Sequence, residues 1–192
     1  MATTLDPATV KLRNVRLSFA DLFTKTASIA NGPLKYRASF LIDPNTPDGK
    51  TNLKALAAAR KHVEMEKFGK PMEYKDPKRC CIKDGNDQCS EKTGEPYEGY
   101  ADMMVISGTN DKNFPIVDAD KTPLKAEDGK PYNGCYVNAV LCLYGVKDKD
   151  KGGNGLFAGI SAIQFLRHGD TFGAGAVNAD EVFEDETDGN EL

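Results

Sequence analysis

Two segments near the N-terminus alternate apolar and polar side chains with the period of a β-strand. Residues 10–19 (VKLRNVRLSF) alternate until Asn14, where the phase shifts by one position, which predicts a bulge in the strand. Residues 34–43 (LKYRASFLID) place Phe40 on one face and Arg37 on the opposite one. The pattern therefore predicts two strands whose outward faces carry basic side chains.

A helical pattern follows in residues 51–69, a run of strong helix formers that ends at a glycine. Residues 21–33 and 44–49 are rich in small, polar, Gly and Pro residues, and they predict a loop and a turn. Residues 70–99 show little periodicity and predict a long irregular excursion, with one short ordered piece near residues 80–83.

The second half of the chain is rich in β-branched and apolar runs separated by Gly, Asn, Asp and Pro clusters. Aromatic residues at apolar positions in these runs, among them Phe165, Phe157 and Tyr144, are predicted to pack in the core. With one helix and five or six strands, the chain is predicted to be mainly β, an elaborated five-stranded, partly open barrel of the oligonucleotide-binding (OB) type. The predicted strands of this half are residues 100–107, 115–118, 135–146 and 156–167.

Charge divides the chain into a basic body and an acidic end. Residues 180–192 carry seven of the 29 acidic side chains and no basic one, which leaves 22 acidic against 25 basic residues in the rest of the chain. Between Lys11 and Arg79 the bias is stronger, with 15 basic and seven acidic residues. We expect residues 1–168 to form one domain, and residues 169–192 to be a flexible glycine-rich linker and an acidic tail.

Several classes of protein are disfavoured by what the sequence lacks. No stretch approaches the roughly 20 apolar residues of a membrane helix, and the N-terminus has no basic start before an apolar run. We therefore expect a cytoplasmic protein with reduced thiols and no membrane partner. There is no G-x-S-x-G, no H-E-x-x-H and no P-loop, so acyl transfer and nucleotide hydrolysis have little support and no cofactor is expected.

Two kinds of metal site remain as alternatives. The sequence Glu73-Tyr74-Lys75 has the E-x-K form of metal-dependent nucleases, in which the carboxylate holds Mg²⁺ and the lysine assists the attacking water. A zinc site is the other, although its thiols lack the paired spacing of a zinc knuckle. Its ligands would come from Cys80, Cys81, Cys89 and His62.

Binding of single-stranded nucleic acid needs cations along a groove and flat side chains on which bases stack. The chain offers both kinds of residue on its first two strands and in its loops. The candidates for phosphate contacts are Arg13, Arg16, Lys35, Arg37, Lys75, Lys78 and Arg79. The candidates for stacking are Tyr74, Tyr100 and Phe114. This pattern predicts a non-enzymatic protein that binds single strands without sequence preference; an adaptor or phage structural protein is the alternative outside enzymes.

The acidic tail gains a role in this interpretation. Tethered beside a basic groove, a flexible polyanion has a high effective concentration and can occupy the groove until nucleic acid displaces it. The displaced tail could then dock an apolar residue on a partner protein. The residues assigned to this role are Asp180, Glu181, Phe183, Glu184, Asp185, Glu186, Asp188, Glu191 and Leu192.

Taken together, these segments resemble a known family, the phage-encoded single-stranded DNA-binding proteins with an OB fold and an acidic C-terminal tail. The resemblance rests on VKLRNVRLSFADLF, KYRASFLIDP, the helix, GCYVNAVLCLYG, GLFAGISAIQFLRHGD and the tail. It implies a role in phage DNA replication and recombination, in which the protein coats and protects exposed strands. It also implies that the tail meets replication proteins such as a polymerase or helicase, with possible self-association on DNA.

Overall fold

The computed structural model describes residues 6–148 and 153–173; the acidic residues 180–192 lie outside this part. One long helix and seven strands make up its regular structure, joined by turns and three short 3-10 helices. The elements in chain order are β1 (Thr9–Thr26), β2 (Lys35–Ile42), α1 (Pro47–Phe68), β3 (Ile82–Asp84), β4 (Met104–Asn110), β5 (Ile116–Val117), β6 (Tyr136–Val146) and β7 (Gly155–Arg167).

Five of the strands close into a barrel. β1 pairs antiparallel with β2 and β6, β2 with β4, and β6 with β7. The circle is completed by a parallel contact between Thr109 of β4 and Gly159 of β7. Around the barrel the order β1-β2-β4-β7-β6 joins strands in the OB pattern, and the predicted mainly-β barrel is confirmed.

Strand β1 is longer than predicted and bends twice. The first bend is the predicted bulge: the register with β6 shifts between Leu12 and Val15, and Asn14 has a φ of 50°. The Asn52 side chain holds this bend, accepting from the Arg13 amide at 2.9 Å and donating to the Arg13 carbonyl at 2.8 Å. A second register shift, between Ser18 and Asp21, lets the strand continue into the segment predicted as a loop.

Helix α1 begins at Pro47, four residues before the predicted start. Thr46 caps it, since its side-chain oxygen accepts from the Gly49 amide at 3.0 Å, and Pro47 occupies the first turn, where its missing N–H costs nothing. The predicted turn therefore reaches into the helix. Gly69, in the left-handed conformation at φ 75°, ends the helix as predicted. The helix packs against β1 and β6.

The barrel interior is the main core. Its largest fully buried side chains include Leu12, Phe40, Ile106 and Ile160, contributed by four different strands. The opposite face of β2 is covered only at one end, where Leu41 packs with Tyr100 and Val105 in a small separate cluster. The rest of that outer face remains available for a ligand.

The second-half strands occur where predicted, with one clear shift. The predicted strand at residues 100–107 begins instead at Met104, because the preceding residues form successive turns. In these turns the Tyr100 amide donates to the Tyr97 carbonyl at 2.9 Å and the Met103 amide to the Tyr100 carbonyl at 3.1 Å. No helix in the described part of the chain has the length and apolar character needed to cross a membrane.

Candidate nucleic-acid interface

The second bend of β1 turns an aromatic ring outward. Phe19 adopts a φ of 45°, and the following amide, of Ala20, donates to the Asn133 side chain at 2.9 Å. The Phe19 side chain is consequently 52% exposed. Its ring meets that of Tyr97 edge-on, with centroids 4.9 Å apart, and that of Tyr100 at 6.0 Å.

Beside this ring the outer faces of β2 and β4 form a flat polar floor. Arg37 pairs in register with Thr109, and Ser39 with Ser107. The two serine hydroxyls are 2.9 Å apart and hydrogen-bonded to each other. Because the two serine side chains are small, a flat ligand can approach the sheet closely at this point.

The floor and the ring enclose a cavity of about 470 Å³, which we call the β2–β4 groove. Two cationic residues, Arg37 and Lys83, line it. No ion pair of Lys83 is found in the described part of the chain, so its ammonium group is free to meet an anion. The full lining is Phe19, Ser28, Arg37, Ala38, Ser39, Lys83, Gln88, Tyr97, Tyr100, Val105, Ser107, Gly108 and Thr109.

One wall of the groove comes from the long excursion of residues 70–99. Its short strand β3 pairs with β4, and Cys81 lies between β4 and β7: the Ser107 amide donates to the Cys81 carbonyl and the Cys81 amide to that of Leu156, each at 2.9 Å. The excursion thus fills the space where β4 and β7 separate. It brings Lys83 and Tyr97 to the groove.

A buried carboxylate fixes the excursion to helix α1. Glu64 is 3% exposed and accepts from Arg60 at 2.8 Å, from the Tyr74 hydroxyl at 3.0 Å and from the Met72 amide at 3.2 Å. Burial, followed by the hydrogen bond to Glu64, raises the pKa of Tyr74 above its ordinary value. Tyr74 lines a second cavity, of about 390 Å³, which shares Lys83 with the groove.

Arg16 and Arg79, both predicted to contact phosphate, serve as anchors. Arg16 donates to the carbonyls of Gly134 at 3.0 Å and Asp170 at 2.9 Å. Arg79 donates to the Gly153 carbonyl at 2.7 Å and lies 3.9 Å from a carboxylate oxygen of Asp148. These guanidinium groups already hold loops in place, so they offer less to a ligand than their charge suggests.

The other predicted cations are spread over the surface. Arg37 lies in the groove, where it donates to the Thr26 carbonyl and lies 3.8 Å from Asp21. Lys35 begins β2, while Lys75 and Lys78 are exposed around the short 3-10 helix of the excursion. Arg13 is exposed on the first bend of β1, beside Asn52 of α1, and does not line the groove.

Besides Tyr74, two residues are predicted to stack on bases, Tyr100 and Phe114. Neither of them presents an open ring face. Tyr100 is 2% exposed, beneath Phe19 and Tyr97. Burial raises the pKa of its phenol, while hydrogen bonds with Ser18 and Ser39 lower it by less. Phe114 is half-buried against the core and meets the Tyr36 ring edge-on at 5.9 Å.

Sequence reasoning missed the residues best placed in the groove. Phe19 ends the alternating pattern of residues 10–19, and its exposure follows from a bend set by Asn133, far along the chain. Lys83 and Tyr97 are brought in by the irregular excursion. The prediction that Tyr144 packs in the core is also wrong, because its side chain is 44% exposed on the outer face of β6, whereas Phe40 and Phe165 are buried as expected.

The alternatives that involve a metal gain no support. Among the described residues, no three His, Cys, Asp or Glu side chains come close enough to hold an ion. Cys81 is buried, and burial raises its thiol pKa to about 12. His62 instead lies 3.5 Å from Glu66 along the helix, and Glu73 is exposed.

The chain past β7 packs beside Phe19 and Tyr97, next to the groove, before the described part ends. The Phe172 ring lies 4.2 Å from the Arg16 guanidinium and packs where a side chain at Gly99 would clash with it. The Gly173 amide donates to the Glu98 carboxylate at 2.9 Å. These contacts extend the body five residues beyond the predicted boundary at 168.

A closed five-stranded barrel with rings and cations beside a polar sheet face is the architecture of oligonucleotide-binding proteins. A family model described as "Enterobacter phage Enc34, ssDNA-binding protein" matches residues 8–192, and the chain belongs to this family. The resemblance to phage-encoded single-stranded DNA-binding proteins is thereby confirmed.

The chain is also similar to individual proteins. Putative protein p50 of Acyrthosiphon pisum secondary endosymbiont phage 1 is 39% identical over 184 residues, which cover 92% of both chains. The single-stranded DNA-binding protein of bacteriophage Enc34, solved in complex with ssDNA, has a TM-score of 0.68 at 20% identity over 86% of this chain and 90% of that one. The gp2.5 protein of bacteriophage T7 reaches 0.52 at 13% identity, over 93% and 94%. The two solved structures share the fold.

Proposed function

We propose that this protein binds single-stranded DNA without sequence preference in the β2–β4 groove. The observation that carries the proposal is the exposed Phe19 ring, in edge contact with the half-buried Tyr97, beside an uncrowded polar floor and the free cation of Lys83. Family membership supports it, and so does the fold shared with a phage protein solved in complex with ssDNA.

Each part of the groove has a separate task. A nucleobase can stack on the Phe19 ring, which the edge contact with Tyr97 holds in place, and such stacking contributes about 1–3 kcal/mol per base. Lys83 and Arg37 attract the phosphates along the floor. Because every base has a flat face and every phosphate a charge, this mode of binding does not depend on sequence.

The acidic tail acts on this groove from nearby. Gly173, the last described residue, lines a cavity of about 260 Å³ together with Phe19, Tyr97 and Phe172. The last described residue therefore lies next to the two rings of Phe19 and Tyr97. In our proposal the tail competes with DNA for the groove, and once displaced it recruits replication proteins.

The biological setting is part of the same proposal and rests on the resemblance of the sequence to phage single-stranded DNA-binding proteins. The protein acts in the host cytoplasm during phage DNA replication and recombination, where it coats and protects exposed single strands. A polymerase or a helicase is the expected partner of the tail. Self-association on the DNA is part of the same proposal, since coating a strand brings successive copies together.

The test is fluorescence anisotropy of a labelled oligo-dT over a salt series, with duplex DNA as competitor. The full-length protein is compared with a version that ends at Asn178. We expect tight, salt-sensitive binding to the single strand, and stronger or less strand-selective binding after truncation. Failure of both versions to bind would overturn the proposal and favour an adaptor or structural protein. Equal binding by the two versions would remove only the role of the tail.

A further inference from the structure

Tyr144 is an aromatic side chain with no evident structural reason to be exposed. It stands on the outer face of β6, opposite Phe157 of β7, and the two ring centroids are 5.9 Å apart with a tilt of 34°. The Tyr144 side chain is 44% exposed, one of five large apolar side chains exposed in the described part of the chain. Phe19, the stacking residue of the β2–β4 groove, belongs to the same small set.

The strand register connects the two places. Side chains of residues paired across a sheet project from the same face. Arg37 in β2 pairs with Thr109 in β4, and Thr109 pairs with Gly159 in β7, so the groove floor continues on the outer face of β7. Two residues earlier on that face of β7 stands Phe157, paired with Tyr144. The outer surface therefore leads from Thr109 at the groove to Phe157 and Tyr144 across Gly159, which has no side chain.

The Tyr144 ring is supported from below. The Arg79 guanidinium lies 5.2 Å from the centre of the Phe157 ring and is itself held by the Gly153 carbonyl. At Gly155 a side chain would meet the Phe157 ring at 2.5 Å, so only glycine leaves room for this arrangement. Phe157 and Arg79 thus position the tyrosine, whose immobilisation on binding costs little additional entropy.

The charges around the ring are mixed, with one cation fixed close by. The Arg79 guanidinium lies 5.2 Å from the centre of the supporting Phe157 ring, and Lys78 and Lys147 are exposed in the flanking segments. Burial, followed by Cys81 and Asp111, raises the pKa of Tyr144, so the ring is uncharged and can receive a base. A flat, uncharged ring on a surface continuous with a polar floor suits a nucleotide, whose base stacks on the ring and whose phosphate is attracted by the basic side chains of these segments. An apolar protein segment would gain little from the lysines.

We infer that Tyr144 is a second stacking site for single-stranded DNA, which takes a nucleobase on the far side of the β4–β7 junction from Phe19. Phe157 and Arg79 are positioning residues for it. This inference rests on the proposed function and deepens it: a strand bound in the β2–β4 groove continues over β7 to β6, and strands too short to reach Tyr144 bind less tightly.

The experiment measures anisotropy with an oligo-dT series of about 4 to 16 nucleotides, the range of site sizes for one OB fold. The variants are Tyr144→Ala and Tyr144→Phe, both first checked for an unchanged thermal unfolding curve. We expect Tyr144→Ala to bind the shortest bound strands like the wild type and to lose about tenfold in affinity for longer ones, while Tyr144→Phe behaves like the wild type at every length.

A second readout locates the contact directly. The wild type is irradiated with oligo-dT that carries one 5-iododeoxyuridine at successive positions, and the crosslinked peptide is identified by mass spectrometry. A crosslink to Tyr144 from one end of the strand is expected. Wild-type affinity of Tyr144→Ala at all lengths would overturn the inference and leave the groove intact. No binding of oligo-dT by the wild type would overturn both proposals.

Discussion

The β2–β4 groove and the helix-facing side of the excursion both carry basic residues, but the two regions use them differently. In the groove, Lys83 has no ion pair in the described structure and Phe19 is half exposed. Beneath the excursion, Arg60 is bound to the buried Glu64 and to the Met72 carbonyl. Basic residues thus line a candidate ligand site in one region and hold two parts of the chain together in the other.

The chemistry of the two cations explains the division. A guanidinium presents several donors in a rigid plane, which suits it to join carboxylates and backbone carbonyls, as Arg16, Arg60 and Arg79 do here. A lysine ammonium on a flexible stem makes fewer fixed bonds. The comparison teaches that Arg16, Arg60 and Arg79 hold the excursion and loops in place, whereas Lys83 and the Phe19 ring remain available to the proposed ligand.

The largest expected effect comes from removing Glu64, the buried carboxylate that fixes the excursion to helix α1. Replacing Glu64 by Ala would leave Arg60 and the Tyr74 hydroxyl without their shared partner in a mostly buried position. We expect the free energy of unfolding to fall by about 3 kcal/mol, measured by urea denaturation. Glu66→Ala, which alters an exposed carboxylate on the same helix, is the matched control and should change stability by less than about 0.5 kcal/mol. Similar losses of stability in the two variants would contradict the role of Glu64 in fixing the excursion to helix α1.

Much of the fold could be predicted from the sequence because its strands have regular local patterns. The bulge at Asn14, the two faces of β2 and the strands β6 and β7 follow from alternation and from Gly and Asn clusters. The helical pattern predicts the start of α1 four residues too late, because Pro47 stands in a sequence typical of a turn, although proline is also favourable in the first turn of a helix.

The site was less predictable because it depends on contacts between distant parts of the chain. The exposure of Phe19 follows from a bend stabilised by Asn133, and the burial of Tyr100 follows from the turns before β4. Arg37, a predicted phosphate contact, does lie in the β2–β4 groove, and its contact with DNA stays a prediction. It could not tell that Arg16 and Arg79 donate to backbone carbonyls, since those partners are set by tertiary structure.

The role of the β2–β4 groove is tested by removing Phe19, its exposed ring. Phe19→Ala should weaken binding to oligo-dT about tenfold with little change in stability, because the side chain is 52% exposed and serves mainly for stacking. Phe19→Tyr should keep the affinity, since its ring can still stack. Met65→Ala, at an exposed apolar position on α1, is the control. Wild-type affinity in Phe19→Ala would remove this ring from the DNA site.

A smaller effect separates two cations, the half-buried Lys83 in the groove and the exposed Arg13 outside it. Lys83→Ala should lower the slope of log affinity against log salt by about 0.7, the value for one phosphate contact on a single strand. Arg13→Ala removes the same charge from the first bend of β1 and should leave the slope unchanged. Equal slopes for the two variants would mean that the position of a charge does not matter, and that binding is governed by overall charge.

The smallest effect concerns Cys81, which lies at the junction between the groove and the β7 side. Burial raises the pKa of its thiol to about 12 from an ordinary value of 9.0. Above pH 9 the unfolded chain therefore loses this proton while the folded chain keeps it, so stability that is present below pH 9 is lost as the pH rises toward 12.

Between pH 9 and 10 the wild type should lose about 1 kcal/mol of unfolding free energy more than Cys81→Ala does. Cys135, whose pKa burial raises to about 11, is present in both proteins and cancels in the comparison. Parallel loss of stability in the two proteins would show that the Cys81 thiol meets water at the junction and that the excursion opens there.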